Sequence, residues 1–407
     1  MSADKTRNVL VLTSTMPRWQ DDTEPAFVEY LCLELAKTHK VRVLAPHCPG
    51  ARRRETRSNG NQSIEVHRYR YFSTCWQSLA YDGGILANIR GNPLLFLLVP
   101  FFLAAQLFSA ASLHRRYRFD VIHAHWIIPQ GLIATTLCKF SRNSPAVLVT
   151  SHGGDLFALH GTLLTRLKRW ILNNAAWVTV VSEAMRSKCK DLGCDETRIS
   201  VCSMGVDLAT TFTPGNGFKA RRGLIFVGRL VEKKGVQYLI RAMSILRETM
   251  PDLQLTIVGD GPDRQKLTHL TRELRLSDNI EFLGSIPNAG LPDHLRSAKI
   301  AVMPSVIARS GDQEGLGLVA VEAMGCGCAV VASDLPAVRD TVQHAETGLI
   351  AAPGDAKDLA DKIDALLGDD QMCQALAKRG RRYALEKFDW KVVGRAYSDL
   401  VSEMGRK

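Results

Sequence analysis

Aromatic residues are scarce in this chain, at 7% of positions. No segment forms a recognisable nucleic-acid reader motif, so the formal net charge of +11 is not that of a DNA- or RNA-binding protein. Paired cysteines are missing as well. Cys326 and Cys328 lie two apart and Cys189 and Cys194 five apart, and neither spacing makes a zinc or redox motif. The ten cysteines read as small buried hydrophobes in a reducing cytosol. The first residues read as a strand instead of a signal peptide: Asn8–Thr13 is a short apolar run that meets Ser, Thr and Pro at once. Internal repeats and low-complexity tracts are lacking, which excludes solenoid and linker-rich architectures.

What is present suits two globular domains. The 407 residues allow two cores of about 200 residues each, and 46% hydrophobic with 23% charged residues is the balance of a soluble protein. Charge is unevenly placed. Residues 1–214 carry 25 Lys and Arg against 16 Asp and Glu, and residues 215–407 carry 27 against 25. Clusters at Arg52, Arg53, Arg54 and Arg57, at Arg115, Arg116 and Arg118, and at Arg166, Lys168 and Arg169 suit phosphorylated substrates or anionic lipid. Leu94 to Leu113 holds twenty residues without a charge, long enough to span a bilayer. Pro100 interrupts it, and Gln106, Ser109 and Ser112 dilute it. The strand pattern Phe119–His123 follows directly. The expectation is a helix or helix pair packed on the N-terminal domain, its apolar surface and flanking arginines suited to a membrane interface.

Short apolar runs alternate with helical patterns throughout. Strands are predicted at Asn8–Thr13, Val41–Ala45, Val121–His125, Ala146–Ser151 and Val178–Ser182, and a helix at Phe27–Thr38. The second half predicts strands at Gly223–Val227, Leu253–Val258, Ile280–Leu283, Ile300–Pro304 and Ala329–Ala332. Its helices are predicted at Val236–Met250, Asp263–Leu274, Pro292–Ala298, Leu318–Met324 and Ala356–Leu367. Such alternation means parallel, doubly wound α/β sheets. The seam is Thr211–Arg222, with Pro214, Gly215 and Gly217. In such domains ligands bind beyond the carboxyl ends of the strands.

The most informative element there is Glu314–Glu322. Gly315 and Gly317 flank Leu316, and an apolar helix follows. Backbone N–H groups at Leu316 and Gly317 can approach an anion at the helix start. Six residues of helix, about 9 Å, separate Leu316 from Glu322, roughly the span from a diphosphate to its ribose. After Gly223–Val227, Arg229 and Lys234 flank a turn that opens a helix, and suit a diphosphate and its charge as a leaving group. Gly259-Asp260-Gly261 reads as a structural turn. After Ala146–Ser151, His152 stands beside two glycines where it can bond a sugar hydroxyl, and Asp155 follows. Alternation puts His123 and His125 on one face, as a substrate-facing or packing pair or as two metal ligands without an evident third. Glu24 sits in the loop Met16–Phe27 over the first strand and is expected to touch an acceptor.

Together these residues resemble glycosyltransferase family 4, in particular enzymes that build bacterial surface polysaccharides. The resemblance covers nearly the whole chain. It rests on the Pro-Arg-Trp opening loop, His-Ala-His-Trp, Ser-His-Gly-Gly-Asp, Met-Gly-Val-Asp at 204–207, Gly-Arg-Leu-Val-Glu-Lys-Lys-Gly, Val-Gly-Asp-Gly-Pro and the Glu314–Glu322 element. It implies the GT-B fold, two Rossmann-like doubly wound domains facing across a cleft: 1–212 on the acceptor side, 213–386 for the nucleotide-sugar, and 387–407 as a helix crossing back. By the same likeness Arg229 and Lys234 hold the donor diphosphate and Glu322 the ribose, while Glu314 and His152 meet the transferred sugar. Glu24, His125 and Asp155 fall on the acceptor side. The implied activity is retaining transfer without a metal, from a nucleotide-sugar (UDP favoured over GDP) to a hydroxyl of a lipid-linked or free glycan; in such enzymes the acceptor is often linked to a polyprenyl diphosphate, which suits a cytosolic enzyme resting on an anionic membrane. Two departures stand out. Thr23-Glu24-Pro25-Ala26 replaces the family's paired glycines, and Ser203-Met204 replaces Pro-Asn before Gly205. A sugar-nucleotide epimerase or a catalytically silent glycan-binding partner would share this architecture.

Overall fold

The computed structural model describes residues 6–404 apart from 21, 23, 142, 143 and 216, so Asp21 and Thr23 of the opening loop and Asn216 of the seam lie outside the described residues. The chain divides into two compact units. One comprises Met1–Val181, Met185–Gly205 and Trp390–Lys407, the other Ser182–Ala184 and Val206–Asp389.

The first unit holds β1 (Asn8–Leu12), β2 (Lys40–Pro46), β3 (Arg54–Asn59), β4 (Gln62–Tyr69), β5 (Val121–His125), β6 (Ala146–Ser151), β7 (Trp177–Val180) and β8 (Ile199–Val201). They form one sheet in the order β3-β4-β2-β1-β5-β6-β7-β8. All pairings are parallel except β3 with β4. Residues 9–12 and all of β5 are buried, as in a parallel sheet covered on both faces. The β3–β4 hairpin was not predicted. Its outer strand reads Arg-Glu-Thr-Arg-Ser-Asn and is largely exposed. It carries no apolar signal because it is an edge, where charge prevents further pairing. The first helix ends at Leu35, short of the predicted Thr38. The last helix, Trp390–Met404, packs on it, and the Arg7 guanidinium donates to the Ser402 carbonyl at 3.0 Å.

The apolar stretch forms a 3-10 turn, Pro93–Leu98, that runs into the helix Val99–Tyr117. The Asn92 side chain caps its start by accepting from Leu94 N–H, and Arg118 in the left-handed conformation ends it. Phe102, Gln106, Ala110 and His114 form its buried stripe. Among the described residues this is the one helix long and apolar enough to cross a bilayer by length and composition. It nevertheless packs against β2, β4 and the helix Leu132–Phe140, and it links two strands of one sheet. It is a helix of the domain.

The second unit holds β9 (Arg222–Val227), β10 (Leu255–Val258), β11 (Ile280–Gly284), β12 (Ala298–Met303), β13 (Ala329–Ser333) and β14 (Leu349–Ala351). Their order is β11-β10-β9-β12-β13-β14, with every pairing parallel. Counted within the unit this is 3-2-1-4-5-6, the Rossmann order, whose chain reversal lies between its first and fourth strands. Leu224 and Phe226 of β9 meet Leu239, Ile240 and Met243 of the helix Val236–Leu246 in the core. Each such side chain contributes about 2 kcal/mol of burial. The reversal points, β9/β12 here and β1/β5 in the first unit, leave two crevices at strand carboxyl ends.

Candidate functional site

In the second unit, the turn after β9 is pressed onto the end of β12. Gly235 sits at φ 64°, and a Cβ there would lie 1.9 Å from the Pro304 carbonyl oxygen, so only glycine fits. This contact sets Lys234 against the loop after β12. Its Nζ donates to Glu314 Oε2 at 2.6 Å, with side chains 19% and 15% exposed. Beside it Lys233 Nζ reaches Asp312 Oδ1 at 3.2 Å, and the Val306 N–H donates to the Lys233 carbonyl at 2.8 Å. Two adjacent lysines thus fasten the whole 304–316 loop to the β9 turn. Sequence reasoning missed Lys233 and Asp312; the doubled lysine was the available signal.

Burial alone would push the Glu314 carboxyl up, but the Lys234 and Lys233 ammoniums outweigh it and hold the group below the usual carboxylate range. It is an anion at neutral pH. Glu322 lies in the helix Leu318–Gly325 and is half-buried. Burial raises its pKa to about 7, with the Lys234 charge pulling the other way. One ammonium therefore acts on both carboxyls that the sequence singled out. Gly317 caps the helix at φ 85°, a left-handed position that favours glycine. Leu316 is buried, so its side chain serves packing and only its backbone can meet a ligand. Arg229 is exposed on the β9 turn. The cluster offers a guanidinium, an ammonium and a helix start to an anion, with carboxyls for hydroxyl groups.

In the first unit, His152 follows β6 and stands between Phe27 and Trp126, with ring centroids at 5.0 and 4.9 Å. His125 Nδ1 lies 2.9 Å from His152 Nε2, and the two rings stack at 5°. Burial pushes His152 down to about 3, so its imidazole is neutral at physiological pH. His123 and His125 do share a face, their rings 4.3 Å apart. His123 Nε2 lies 2.7 Å from Thr150 Oγ1, which itself lies 2.5 Å from Thr179 Oγ1. Among the described residues no group of three or more His, Cys, Asp and Glu converges as a metal site would.

Glu24, His125 and Asp155, expected on the acceptor side, are all buried in the first unit, and polar atoms of each meet protein groups. His125 backs His152. Asp155 accepts from Ile127 N–H at 2.6 Å and from Ser151 Oγ at 2.8 Å; it ties the loops after β5 and β6 together. Glu24 is pushed up to about 7 by burial, opposed by the Arg18 charge. Above it Arg18 forks onto Asp22 at 2.8 and 2.9 Å, and its guanidinium is pushed further up chiefly by that hydrogen bond. Arg57 of β3 and Arg68 of β4, within the unpredicted hairpin, both donate to the Pro17 carbonyl, at 3.3 and 2.5 Å. The opening loop is thus braced from below by residues with no sequence motif.

Comparison with known proteins shows the family. Residues 26–210 match the family model described as Glycosyltransferase Family 4, and residues 213–383 match Glycosyl transferases group 1. The GDP-mannose-dependent alpha-(1-6)-phosphatidylinositol monomannoside mannosyltransferase of Mycolicibacterium smegmatis is 31% identical over 268 residues, spanning 63% of this chain and 70% of that one. Sucrose-phosphate synthase from Thermosynechococcus elongatus superposes with a TM-score of 0.79 at 23% identity, over 98% of this chain and 99% of that one. Anabaena HepE in complex with UDP-glucose gives 0.71 at 16%, over 98% and 100%. The chain belongs to glycosyltransferase family 4. Its α/β fold with two parallel sheets is the GT-B fold.

Proposed function

We propose that this glycosyltransferase moves a sugar, with retained anomeric configuration, from a nucleotide-diphosphate sugar to a hydroxyl of a glycan carried on a polyprenyl diphosphate. It would do so during surface-polysaccharide assembly at the cytoplasmic face of a membrane. The observation that carries this reading is the Lys234–Glu314 pair at the β9/β12 reversal, with Arg229 on the same turn and the Gly317 helix start beside it. UDP is the preferred nucleotide in this proposal, in keeping with the UDP-glucose in HepE. GDP-mannose is the rival, in keeping with the mycobacterial mannosyltransferase.

In the proposed mechanism the bond from C1 to the phosphate oxygen breaks first, and the leaving charge falls on Arg229 and Lys234. The acceptor oxygen bonds to C1 on the same face, through an oxocarbenium-like transition state. Its proton passes to the departing phosphate. Glu322 accepts from ribose hydroxyls, Leu316 and Gly317 offer backbone N–H groups, and Glu314 contacts the sugar near C1. His152, neutral, bonds a sugar hydroxyl. The two cations supply charge compensation that a divalent metal would otherwise give, so turnover is proposed to need no metal.

The test is transfer of radiolabelled sugar from UDP- and GDP-sugars into a membrane glycolipid extract, with the product's anomeric coupling read by NMR. Label entering the lipid fraction with the donor's anomeric configuration supports the reading. Inverted product would overturn retention. Donor isomerised without acceptor would mark an epimerase, and inert donors a binding partner.

A further inference from the structure

The helix Val99–Tyr117 buries one stripe and leaves the opposite one bare. Leu97 near the end of the leading 3-10 turn and Phe101, Ala104, Phe108, Ser112 and Arg115 of the helix recur at three- and four-residue steps, the helical ones on one face, and all six are exposed. The large ones are very open: Leu97 68%, Phe101 52% and Phe108 69%. Leu94 and Phe96 in the leading 3-10 turn add to the apolar surface at 72% and 64%. A second segment joins it. Phe72, just past β4, lies against Phe101 with ring centroids 5.3 Å apart. Four residues on, Trp76 ends a 3-10 turn at 61% exposure. A continuous apolar patch of this kind marks a contact surface.

Charge says what covers it. Within the patch segments Phe72–Trp76 and Leu94–Ser112 there is no Asp or Glu, whereas exposed Arg90 lies between the two in sequence and exposed Arg115, Arg116 and Arg118 close the helix. An apolar stripe bordered by cations, aromatic at its edge, is the pattern of an interfacial helix on an anionic bilayer. A spanning role is ruled out by the Phe102–His114 stripe, which packs on the domain's own sheet and neighbouring helix.

We propose that this face, Phe72 and Trp76 together with Leu94, Leu97, Phe101 and Phe108, docks the protein on an anionic lipid surface with Arg115, Arg116 and Arg118 at the headgroups. The proposal deepens the lipid-linked reading of the acceptor, but its test needs neither donor nor acceptor and so fails separately from it.

The experiment is flotation of the full chain with vesicles of phosphatidylglycerol and phosphatidylethanolamine, and with phosphatidylcholine alone. The wild type is expected to float with the anionic vesicles and to lose binding by about tenfold or more without anionic lipid. The double variant F101E/F108E, changed only at exposed positions, is expected to stay soluble, keep the wild-type melting temperature and lose flotation. R115E/R116E is expected to lose the preference for anionic lipid. Absence of flotation of the wild type, equal binding to neutral vesicles, or unchanged flotation of F101E/F108E would each overturn the proposal. So would light scattering that shows a dimer which F101E/F108E dissolves, since a second copy would then cover the face.

Discussion

Replacing Lys234 with methionine keeps the side-chain length and removes one ammonium from the centre of the second unit's site. The ion pair with Glu314 is 2.6 Å long and its side chains are 19% and 15% exposed. It therefore lies between a surface pair, worth about 0–1 kcal/mol, and a buried pair, whose one-sided removal costs roughly 3–5 kcal/mol. K234M should lose about 2 kcal/mol in urea unfolding, because Glu314 is left without its main countercharge. Glu314 is a carboxyl with a depressed folded pKa. In the wild type it contributes stability above its unfolded value, and that contribution is lost as pH falls through the lower folded value. In K234M that loss at acid pH should shrink. E314Q alone also breaks the pair, whereas K234M/E314Q leaves no orphaned charge and should cost at least about 1 kcal/mol less than the two singles together. UDP or GDP affinity should fall in K234M by roughly tenfold to a hundredfold, the loss of one charged hydrogen bond. Additivity of the two stability losses within about 0.5 kcal/mol would refute the coupling.

Three further outcomes are expected. Glu322 has a folded pKa of about 7 against an ordinary 4.5, so the fold favours its protonated form. Its contribution is complete below pH 4.5 and is lost as pH rises to 7; E322Q should flatten that decline by an amount on the order of 3 kcal/mol in melts across this window, while weakening donor binding. G235A places a Cβ against the Pro304 carbonyl at a positive φ; it should lower stability by about 3 kcal/mol or more in urea unfolding and abolish nucleotide binding in calorimetry. Removal of divalent metal with EDTA should leave the transfer rate unchanged within about twofold, since Arg229 and Lys234 carry the leaving-group charge in this account.

Much of this was legible because parallel strands announce themselves. β1, β5, β6, β9, β12 and β13 are buried on both faces, so their sequences are apolar runs that need no partner to be recognised. The candidates Arg229, Lys234 and His152 were drawn from the rule that ligands meet strand ends, and Glu314 from its glycine-flanked loop before an apolar helix. The hairpin of β3 and β4 was silent because an exposed polar edge looks like a loop. Three buried polar residues show what spacing leaves open. Glu24, His125 and Asp155 are polar groups near strand ends, which spacing alone cannot sort into ligand-facing and protein-facing. Asp155 is consumed by the N–H of Ile127 and the hydroxyl of Ser151, and His125 by His152. Only side-chain packing shows this. The helix Val99–Tyr117 was ambiguous for the opposite reason: its exposed face is as apolar as a core.

The account rests most on a nucleoside diphosphate binding at Arg229 and Lys234. Titration calorimetry of UDP and GDP into the wild type, R229A and K234M tests it most directly. One of the two nucleotides should bind the wild type, and each variant should bind it at least about tenfold more weakly. Absence of binding by both nucleotides, or wild-type affinity in K234M, would contradict the account.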